Sequence, residues 1–140
     1  MAVIKVPKEA ELLLKYCRPS ANRLPNACFE TYAEFMIFAA CFGFHKTGID
    51  GNQPVSEFMD QPYPIDMAIF KNQNLFPHIL LLGLALTKAH DITQQEEMLA
   101  RMIENYATKG CIELTKLLKK SIPESFHIEL SILIREAASM

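Results

Sequence analysis

With 140 residues, the chain has the length of one compact domain, and a chain of this size buries about two thirds of its unfolded surface without needing a metal or a disulfide. Hydrophobic residues make up 50% of the sequence and charged residues 21%, which excludes an intrinsically disordered chain. The formal net charge of -2 does not indicate a generally basic nucleic-acid-binding protein or a strongly acidic mimic of nucleic acid.

The amino-terminal part predicts a short helix followed by an irregular connection. Pro7 suits a first helical turn, an apolar stripe follows it, and Pro19 stops the pattern, so we expect a helix over roughly residues 7–17. Residues 18–27 are rich in proline and asparagine, which predicts a loop. Residues 1–24 hold five basic and two acidic residues, so this segment is locally basic. Residues 3–6 are the only candidate for an extended segment.

Residues 29–45 predict the central helix of the fold. Apolar residues recur there at the three-and-four spacing of one helical face, and Phe35, Phe38 and Phe42 crowd a neighbouring face. So wide an apolar surface indicates burial between several partner helices, roughly over residues 30–43. Gly43 is predicted to end this helix in a left-handed conformation, because turn-forming residues follow it.

The middle of the chain predicts a long loop and then two helices. Residues 46–66 are interrupted by prolines and glycines, so we expect an ordered loop with one helical turn near residues 56–59. Pro64 is a candidate start for a short helix that extends through residue 70. An apolar helix is predicted over residues 75–89, with Pro77 in its first turn, where proline is tolerated.

Three more helices are predicted towards the carboxyl terminus. Thr93 and Glu96 form a capping box before an apolar pattern, and Gly110 is predicted to end that helix. A further short helix is expected over residues 111–120, and a last one begins at Pro123. The sequence therefore predicts an all-α fold: one compact domain, residues 1–140, of about six helices packed around the central hydrophobic helix.

The sequence predicts neither a secretory signal nor a membrane-spanning helix. The amino terminus lacks the pattern of a secretory signal, and the longest apolar run, residues 79–86, is shorter than the about 20 residues that cross a bilayer. We therefore expect a cytoplasmic protein. The four cysteines are irregularly spaced, so free, buried thiols are predicted rather than disulfides.

No motif in the sequence indicates catalysis or a cofactor. Cys41 and His45 lie four residues apart on one predicted helix, but two further ligands for zinc are missing. The carboxylate pair Glu30 and Glu34 lies on a predicted solvated face, and neither glycine-rich phosphate motif occurs. We predict no catalytic, cofactor-binding or metal-binding residue and a protein that is not an enzyme. An enzyme with an unrecognised site is the least favoured alternative.

Basic residues are concentrated in two segments, the amino-terminal one and residues 109–120, where four lysines face a single acidic residue. If the two segments lie together in the fold, they form candidate contacts with DNA phosphates or with a partner, since each neutralised phosphate adds salt-dependent affinity. The favoured, simpler interpretation is that lysines near helix carboxyl ends complement the helix dipole and solvate the surface. The candidate contact residues are Lys109, Lys116, Lys119, Lys120, Arg18 and Arg23.

The order of five sequence motifs resembles that of a known family. The motifs are Phe29-Glu-Thr-Tyr-Ala-Glu, Phe38-Ala-Ala-Cys-Phe-Gly, Gln61-Pro-Tyr-Pro-Ile-Asp-Met-Ala-Ile-Phe, Ile79-Leu-Leu-Leu-Gly-Leu-Ala-Leu and Ile103-Glu-Asn-Tyr-Ala-Thr-Lys-Gly-Cys-Ile-Glu-Leu. Together they resemble the DNA phosphorothioation (dnd) system-associated protein 4 family. The last motif is the most specific: it keeps the family's Glu104, Tyr106, Ala107, Gly110 and Glu113, whereas Thr108-Lys109 replaces part of a glycine pair.

The resemblance implies a bacterial, cytoplasmic protein encoded beside the machinery that replaces a backbone phosphate oxygen of DNA with sulfur, or beside restriction proteins that use this mark against phages. No catalytic motif is carried over from the family. We therefore expect a non-enzymatic accessory protein of a DNA phosphorothioation and restriction (antiphage defence) system, which acts through contact with proteins of that machinery or with DNA. The resemblance implies no contact with a membrane, and it is compatible with a homo-oligomer. The alternative is a self-associating interaction module unrelated to DNA, which an apolar helix left exposed in the monomer would favour.

Overall fold

The computed structural model describes residues 2–20, 23, 25, 27–55, 57–87, 96–120 and 132. This part of the chain is mostly helical, as predicted, with one small antiparallel pair of strands. The elements are strand β1 (Val3–Ile4), a 3₁₀ helix (Lys8–Tyr16), helix α1 (Tyr32–Thr47), a 3₁₀ turn (Gly48–Gly51), strand β2 (Ile65–Asp66) and helices α2 (Met67–Asn72), α3 (Phe76–Thr87) and α4 (Glu96–Lys120).

Helices α1 and α4 approach each other closely enough for backbone to touch backbone. A Cβ atom at Gly43 would overlap the carbonyl oxygen of Tyr106 and lie 2.7 Å from the backbone nitrogen of Gly110. A Cβ atom at Gly110 would likewise overlap the carbonyl oxygen of Ala39. Only glycine leaves room for such an approach. The two glycines therefore determine how closely the two longest helices pack.

The helix ends predicted at these two glycines are wrong. Gly43 is buried inside α1, which continues to Thr47 and ends at Gly48, a residue in the left-handed region with a φ of 64°. Gly110 lies inside α4, so the two helices predicted before and after it are one continuous helix. A glycine inside a helix costs about 1 kcal/mol relative to alanine, and the close α1–α4 packing offsets that cost.

The 3₁₀ helix packs on α4, and β1 pairs with β2 in the register Val3 with Asp66 and Ile4 with Ile65. Side chains from these elements join α1 and α4 in one buried core that includes the fully buried Leu13. The predicted extended segment at residues 3–6 is therefore partly a strand. Helix α1 corresponds to the predicted central hydrophobic helix, and seven of its residues are buried.

Local capping accounts for where two helices begin. Thr31 caps α1, because its hydroxyl accepts a hydrogen bond of 3.1 Å from the backbone nitrogen of Glu34. Asp66 caps α2, because its carboxylate accepts a hydrogen bond of 2.9 Å from the backbone nitrogen of Ala68. The short helix predicted from Pro64 consequently begins three residues later, at Met67, after β2.

Other predictions on this part of the chain have different outcomes. Pro77 lies in the first turn of α3, as predicted. The helical turn predicted near residues 56–59 is wrong for the described residues 57–59, where Phe58 instead forms an antiparallel bridge with Pro7. Thr93 of the capping box and the last helix, from Pro123, lie outside the described residues. Across the described ranges, no helix combines the length and the apolar character needed to cross a membrane.

Candidate interaction surface

The motif shared with the family places Glu104 in a buried position on α4, where its side chain connects α4 to β1. Glu104 is only 2% exposed. The carboxylate accepts a hydrogen bond of 2.7 Å from the backbone nitrogen of Lys5 and pairs with Arg101 at 3.1 Å. Arg101 also donates to the carbonyl oxygen of Val3 at 2.6 Å. Burial raises the pKa of Glu104, and the hydrogen bond from Lys5 and the charge of Arg101 partly oppose this rise.

Tyr106, in the same motif, connects α4 to the end of α1. Its hydroxyl donates to the carbonyl oxygens of Gly48 at 2.8 Å and Ile49 at 3.1 Å. Its ring meets Phe44 edge to face, with 5.5 Å between the ring centroids. Burial raises the pKa of Tyr106, and the nearby charge of Asp50 adds to the rise. Like Glu104, this residue therefore positions α4 within the fold.

Two of the four predicted lysine contacts on α4, Lys109 and Lys116, have partners within the protein. The ammonium of Lys109 donates to the side-chain oxygen of Gln53 at 3.2 Å. The ammonium of Lys116 pairs with Glu113 at 3.3 Å, one helical turn earlier. Lys119 and Lys120 belong to the last turn of α4, and their side chains lie outside the described part.

The predicted arginine contacts lie in a separate depression. Arg18 pairs with Glu30 at 3.0 Å, and Arg23 donates to the carbonyl oxygen of Arg18 at 3.2 Å. Both arginines line a depression with Pro25 and Ala27. None of its described lining residues also lines the two grooves that contain Lys109 and Lys116.

Two adjoining grooves run beside α4, and we call them together the α4 groove. The first, of about 380 Å³, lies between the 3₁₀ helix and α4 and is lined by Lys8, Glu9, Glu11, Leu12, Ile112, Thr115 and Lys116. The second is lined by Glu9, Gln53, Pro54, Val55, Glu57, Thr108 and Lys109. Glu9 lines both, so the two grooves are neighbours.

The charge of the α4 groove is mixed. Three carboxylates, of Glu9, Glu11 and Glu57, face the same grooves as Lys109 and Lys116. Within the described ranges, none of the three carboxylates is in an ion pair. Sequence reasoning did not identify them as site residues, because they lie far from residues 109–116 in sequence and reach the groove only through packing on α4.

Helix α3 has an exposed apolar side. Leu81 is 64% exposed and Leu84 is 37% exposed, whereas Ile79 and Leu82 on the other side are buried. The sequence of α3 contains no aspartate, glutamate, lysine or arginine. The surface of the described part thus offers two distinct features, the α4 groove and the outward side of α3.

All four cysteines are free, as predicted, but not all are buried. Cys17 and Cys111 are buried, Cys28 is half-buried, and Cys41 is exposed on α1, so the prediction of burial is wrong for Cys41. Burial raises the pKa of Cys17 to about 12, which makes this thiol unreactive. Among the residues that the structure describes, no group of three histidine, cysteine or acidic side chains is arranged to hold a metal ion.

These observations define a small, mainly helical protein in which the most specific sequence motif serves packing and the surface presents a mixed-charge groove and the exposed apolar side of α3. The chain belongs to the family of DNA sulphur modification system-associated protein 4, whose family model matches residues 3–139. The predicted resemblance is thereby confirmed over nearly the whole chain, and with it the association with a DNA sulphur modification system. Neither the curated proteins nor the solved structures contain a match.

Proposed function

We propose that this protein is a non-enzymatic accessory component of the DNA sulphur modification system and that it binds another protein of that system at the α4 groove. The family association supports the link with the system. The observation that carries the proposed mode of action is the mixed charge of the α4 groove, together with the half-exposed apolar side chains of Leu12 and Ile112 within it.

Protein is a better match than DNA for this groove on electrostatic grounds. Double-stranded DNA carries one negative charge per about 1.7 Å of helix axis, and the carboxylates of Glu9, Glu11 and Glu57 would repel it. Two of the three lysines that line the groove, Lys109 and Lys116, already have partners in Gln53 and Glu113. If Lys109 and Lys116 bound DNA phosphates instead, their contacts with Gln53 and Glu113 would be lost.

A protein segment with both signs of charge can satisfy both walls of the groove. Basic side chains of the partner would pair with the carboxylates, and an apolar side chain would cover Leu12, which is 54% exposed, and Ile112, which is 37% exposed. An apolar centre with a charged rim is the usual composition of a protein–protein contact. The motif residues Glu104 and Tyr106 support this proposal indirectly, because they pack the scaffold rather than face the groove.

The first test is recovery of partners with a tagged full-length chain from host cells, with and without nuclease treatment, followed by mass spectrometry. We expect proteins of the modification system to be recovered after nuclease treatment. Leu12→Asp should abolish this recovery, whereas Ile49→Asp, which places the same charge at another exposed apolar position, should preserve it. Loss of recovery with both variants, or with neither, would contradict binding at the α4 groove.

The same preparation separates protein contact from DNA contact. Recovery that nuclease abolishes would show that the proteins are connected only through DNA. In that case, exchanging Lys109 and Lys116 for alanine should weaken the retention of DNA and flatten its dependence on salt. Retention of DNA that these two changes leave intact would exclude the groove as the DNA contact as well.

A further inference from the structure

The 3₁₀ helix arranges its side chains in three straight rows. A 3₁₀ helix has three residues per turn, so side chains three apart in sequence lie directly above one another. The first row, every third residue from Ala10 to Tyr16, is buried in the core and at most 2% exposed. The second row ends in the buried Leu14. The third stays accessible along its whole length, and we call it the Leu12 row: Glu9, Leu12 and Lys15.

The Leu12 row presents an acidic, an apolar and a basic side chain at equal spacing. Along the helix axis, Leu12 lies about 6 Å from Glu9 and about 6 Å from Lys15. Leu12 is 54% exposed, and the two charged residues are half-buried. Within the described ranges neither of these two is in an ion pair, and the ammonium of Lys15 lies 5.7 Å from the centroid of the Tyr16 ring. Because the two charges are about 12 Å apart along the axis, they do not pair with each other within one chain.

Three depressions border the Leu12 row. Glu9 lines both parts of the α4 groove, and Leu12 lines the first of them. Leu12 also lines a third depression, of about 330 Å³, whose other lining residues are Glu11, Leu14, Lys15, Ser20 and Met59. A surface that approaches the 3₁₀ helix can therefore reach all three side chains of the row.

The order of charges makes the Leu12 row complementary to itself. In a two-fold dimer both copies contribute the same surface, and here the two rows run antiparallel. With the two-fold axis beside Leu12, the two leucines meet, and Glu9 of each copy faces Lys15 of the other. Parallel rows would instead place Glu9 against Glu9, and a shift of one turn would place Glu9 against Leu12. We infer that two copies of this chain associate through antiparallel Leu12 rows, with an apolar centre between two ion pairs.

The length of the 3₁₀ helix determines the expected strength of this dimer. Its nine residues extend over about 18 Å, so the contact buries less than the roughly 800 Å² per copy of stable complexes. The dimer is therefore weak, and salt weakens it further by screening the two surface ion pairs.

The dimer also regulates the α4 groove. Glu9 and Leu12 line that groove, so a second copy that covers them excludes the partner protein. This consequence rests on the proposed function, whereas the association itself does not. The test below uses the purified chain alone, so failure of the dimer is distinguishable from failure of partner binding.

Analytical ultracentrifugation of the full chain, from about 1 µM to about 1 mM, tests the association. We expect the average mass to rise from one chain to two across this range. Glu9→Lys and Lys15→Glu should each raise the dissociation constant at least about tenfold, because each replaces two ion pairs with two repulsive contacts. The matched controls Glu11→Lys and Lys8→Glu make the same changes in the second row of the helix and should alter the constant less than about threefold.

Combining the two charge reversals tests the pairing itself. A mixture of the Glu9→Lys protein with the Lys15→Glu protein should dimerise, because one row then carries two basic and the other two acidic side chains. A mixture of the two control proteins should dimerise no more tightly than the parent. The double variant Glu9→Lys/Lys15→Glu keeps the net charge of the parent and should recover its dissociation constant to within about threefold.

Four results would overturn the inference. The first is a mass of one chain throughout the range, and the second is a dimer that Glu9→Lys or Lys15→Glu leaves intact. The third is equal weakening by the matched controls, and the fourth is a double variant or a mixture that stays monomeric. Circular dichroism checks that each variant is folded. If a charge reversal unfolds the chain, Glu9→Gln and Lys15→Gln replace it and should each weaken the dimer, and an unchanged constant would overturn the inference.

Discussion

Replacement of Gly43 by alanine is expected to destabilise the protein by about 2 kcal/mol, although alanine is the better helix former. The new methyl group would overlap the carbonyl oxygen of Tyr106 and lie 2.7 Å from the backbone nitrogen of Gly110. Both atoms belong to the backbone of α4 and cannot rotate away as a side chain can. Helices α1 and α4 must therefore move apart to accommodate the methyl group.

The magnitude follows from the size of this displacement. Non-bonded heavy atoms pack best about 3.5–4.0 Å apart, so relieving the overlap with the carbonyl oxygen of Tyr106 requires the helices to separate by more than about 1 Å. A gap of about 0.5–1 Å already loses about a quarter to a half of the dispersion energy of each contact. Inserting a methylene into a packed core typically costs about 1–3 kcal/mol, and a clash with backbone belongs at the upper end. Alanine recovers about 1 kcal/mol through helix propensity. The net loss of about 2 kcal/mol lowers the Tm by roughly 6–10 °C for a chain of this length.

Urea unfolding followed by circular dichroism measures this loss. The control is the pair Cys41→Gly and Cys41→Ala at an exposed position of the same helix, where alanine should be the more stable by about 1 kcal/mol. Gly110→Ala should destabilise in the same sense as Gly43→Ala, because its methyl group would overlap the carbonyl oxygen of Ala39. A Gly43→Ala protein as stable as its parent, or more stable, would refute the close approach of α1 and α4.

Three further predictions concern individual side chains. Tyr106→Phe removes the hydroxyl that serves two backbone carbonyls and should cost about 1 kcal/mol in thermal unfolding; an unchanged Tm would show that this hydroxyl is dispensable. Because burial raises the folded-state pKa of Glu104 above its ordinary 4.5, the stability due to its proton is complete below pH 4.5 and is lost as pH rises through the folded-state pKa. Glu104→Gln should therefore flatten the dependence of the unfolding free energy on pH above 4.5, as measured by urea titrations at several pH values, and a slope equal to that of the parent would contradict this assignment. A thiol reagent should modify the exposed Cys41 in the folded protein but reach Cys17 and Cys111 only after unfolding. Because partial burial raises the pKa of Cys41, its reaction should be slower than that of a free thiol. Cys41→Ser should remove this reaction of the folded protein, and a reaction that persists would show that the half-buried Cys28 or another thiol is accessible.

Residue periodicity predicted the helical character and the central helix because both depend on local spacing. The buried side of α1, which includes Met36 and Ala39, follows from the three-and-four pattern alone. Of the three phenylalanines predicted on the neighbouring face, Phe35 is buried, whereas Phe38 and Phe42 are half-buried. The pattern shows that a residue is apolar, but neighbouring elements decide how much of it they cover.

The candidate site was predictable only in part for a similar reason. The lysines of α4 were visible as a cluster because they are close in sequence. Their interpretation depended on which residues from elsewhere surround them, and Glu9 and Glu57 reach the α4 groove only because the 3₁₀ helix and the segment after α1 pack beside α4. Whether Lys109 and Lys116 contact DNA phosphates remains a prediction.

The sequence by itself determined the helical class, the apolar central helix, the absence of disulfide pairing and, through its motifs, the family. These properties depend on composition and on local order along the chain. Tertiary structure alone decided the roles of Gly43 and Gly110, since a glycine can end a helix or admit a second helix at close range, and both uses have the same local sequence. A spacing of four between Ala39 and Gly43 is a weak signal of such a contact, but only the position of α4 against α1 distinguishes the two uses. The physical reason is that the cost of a glycine inside a helix is local, whereas the packing that offsets it comes from a segment more than 60 residues away.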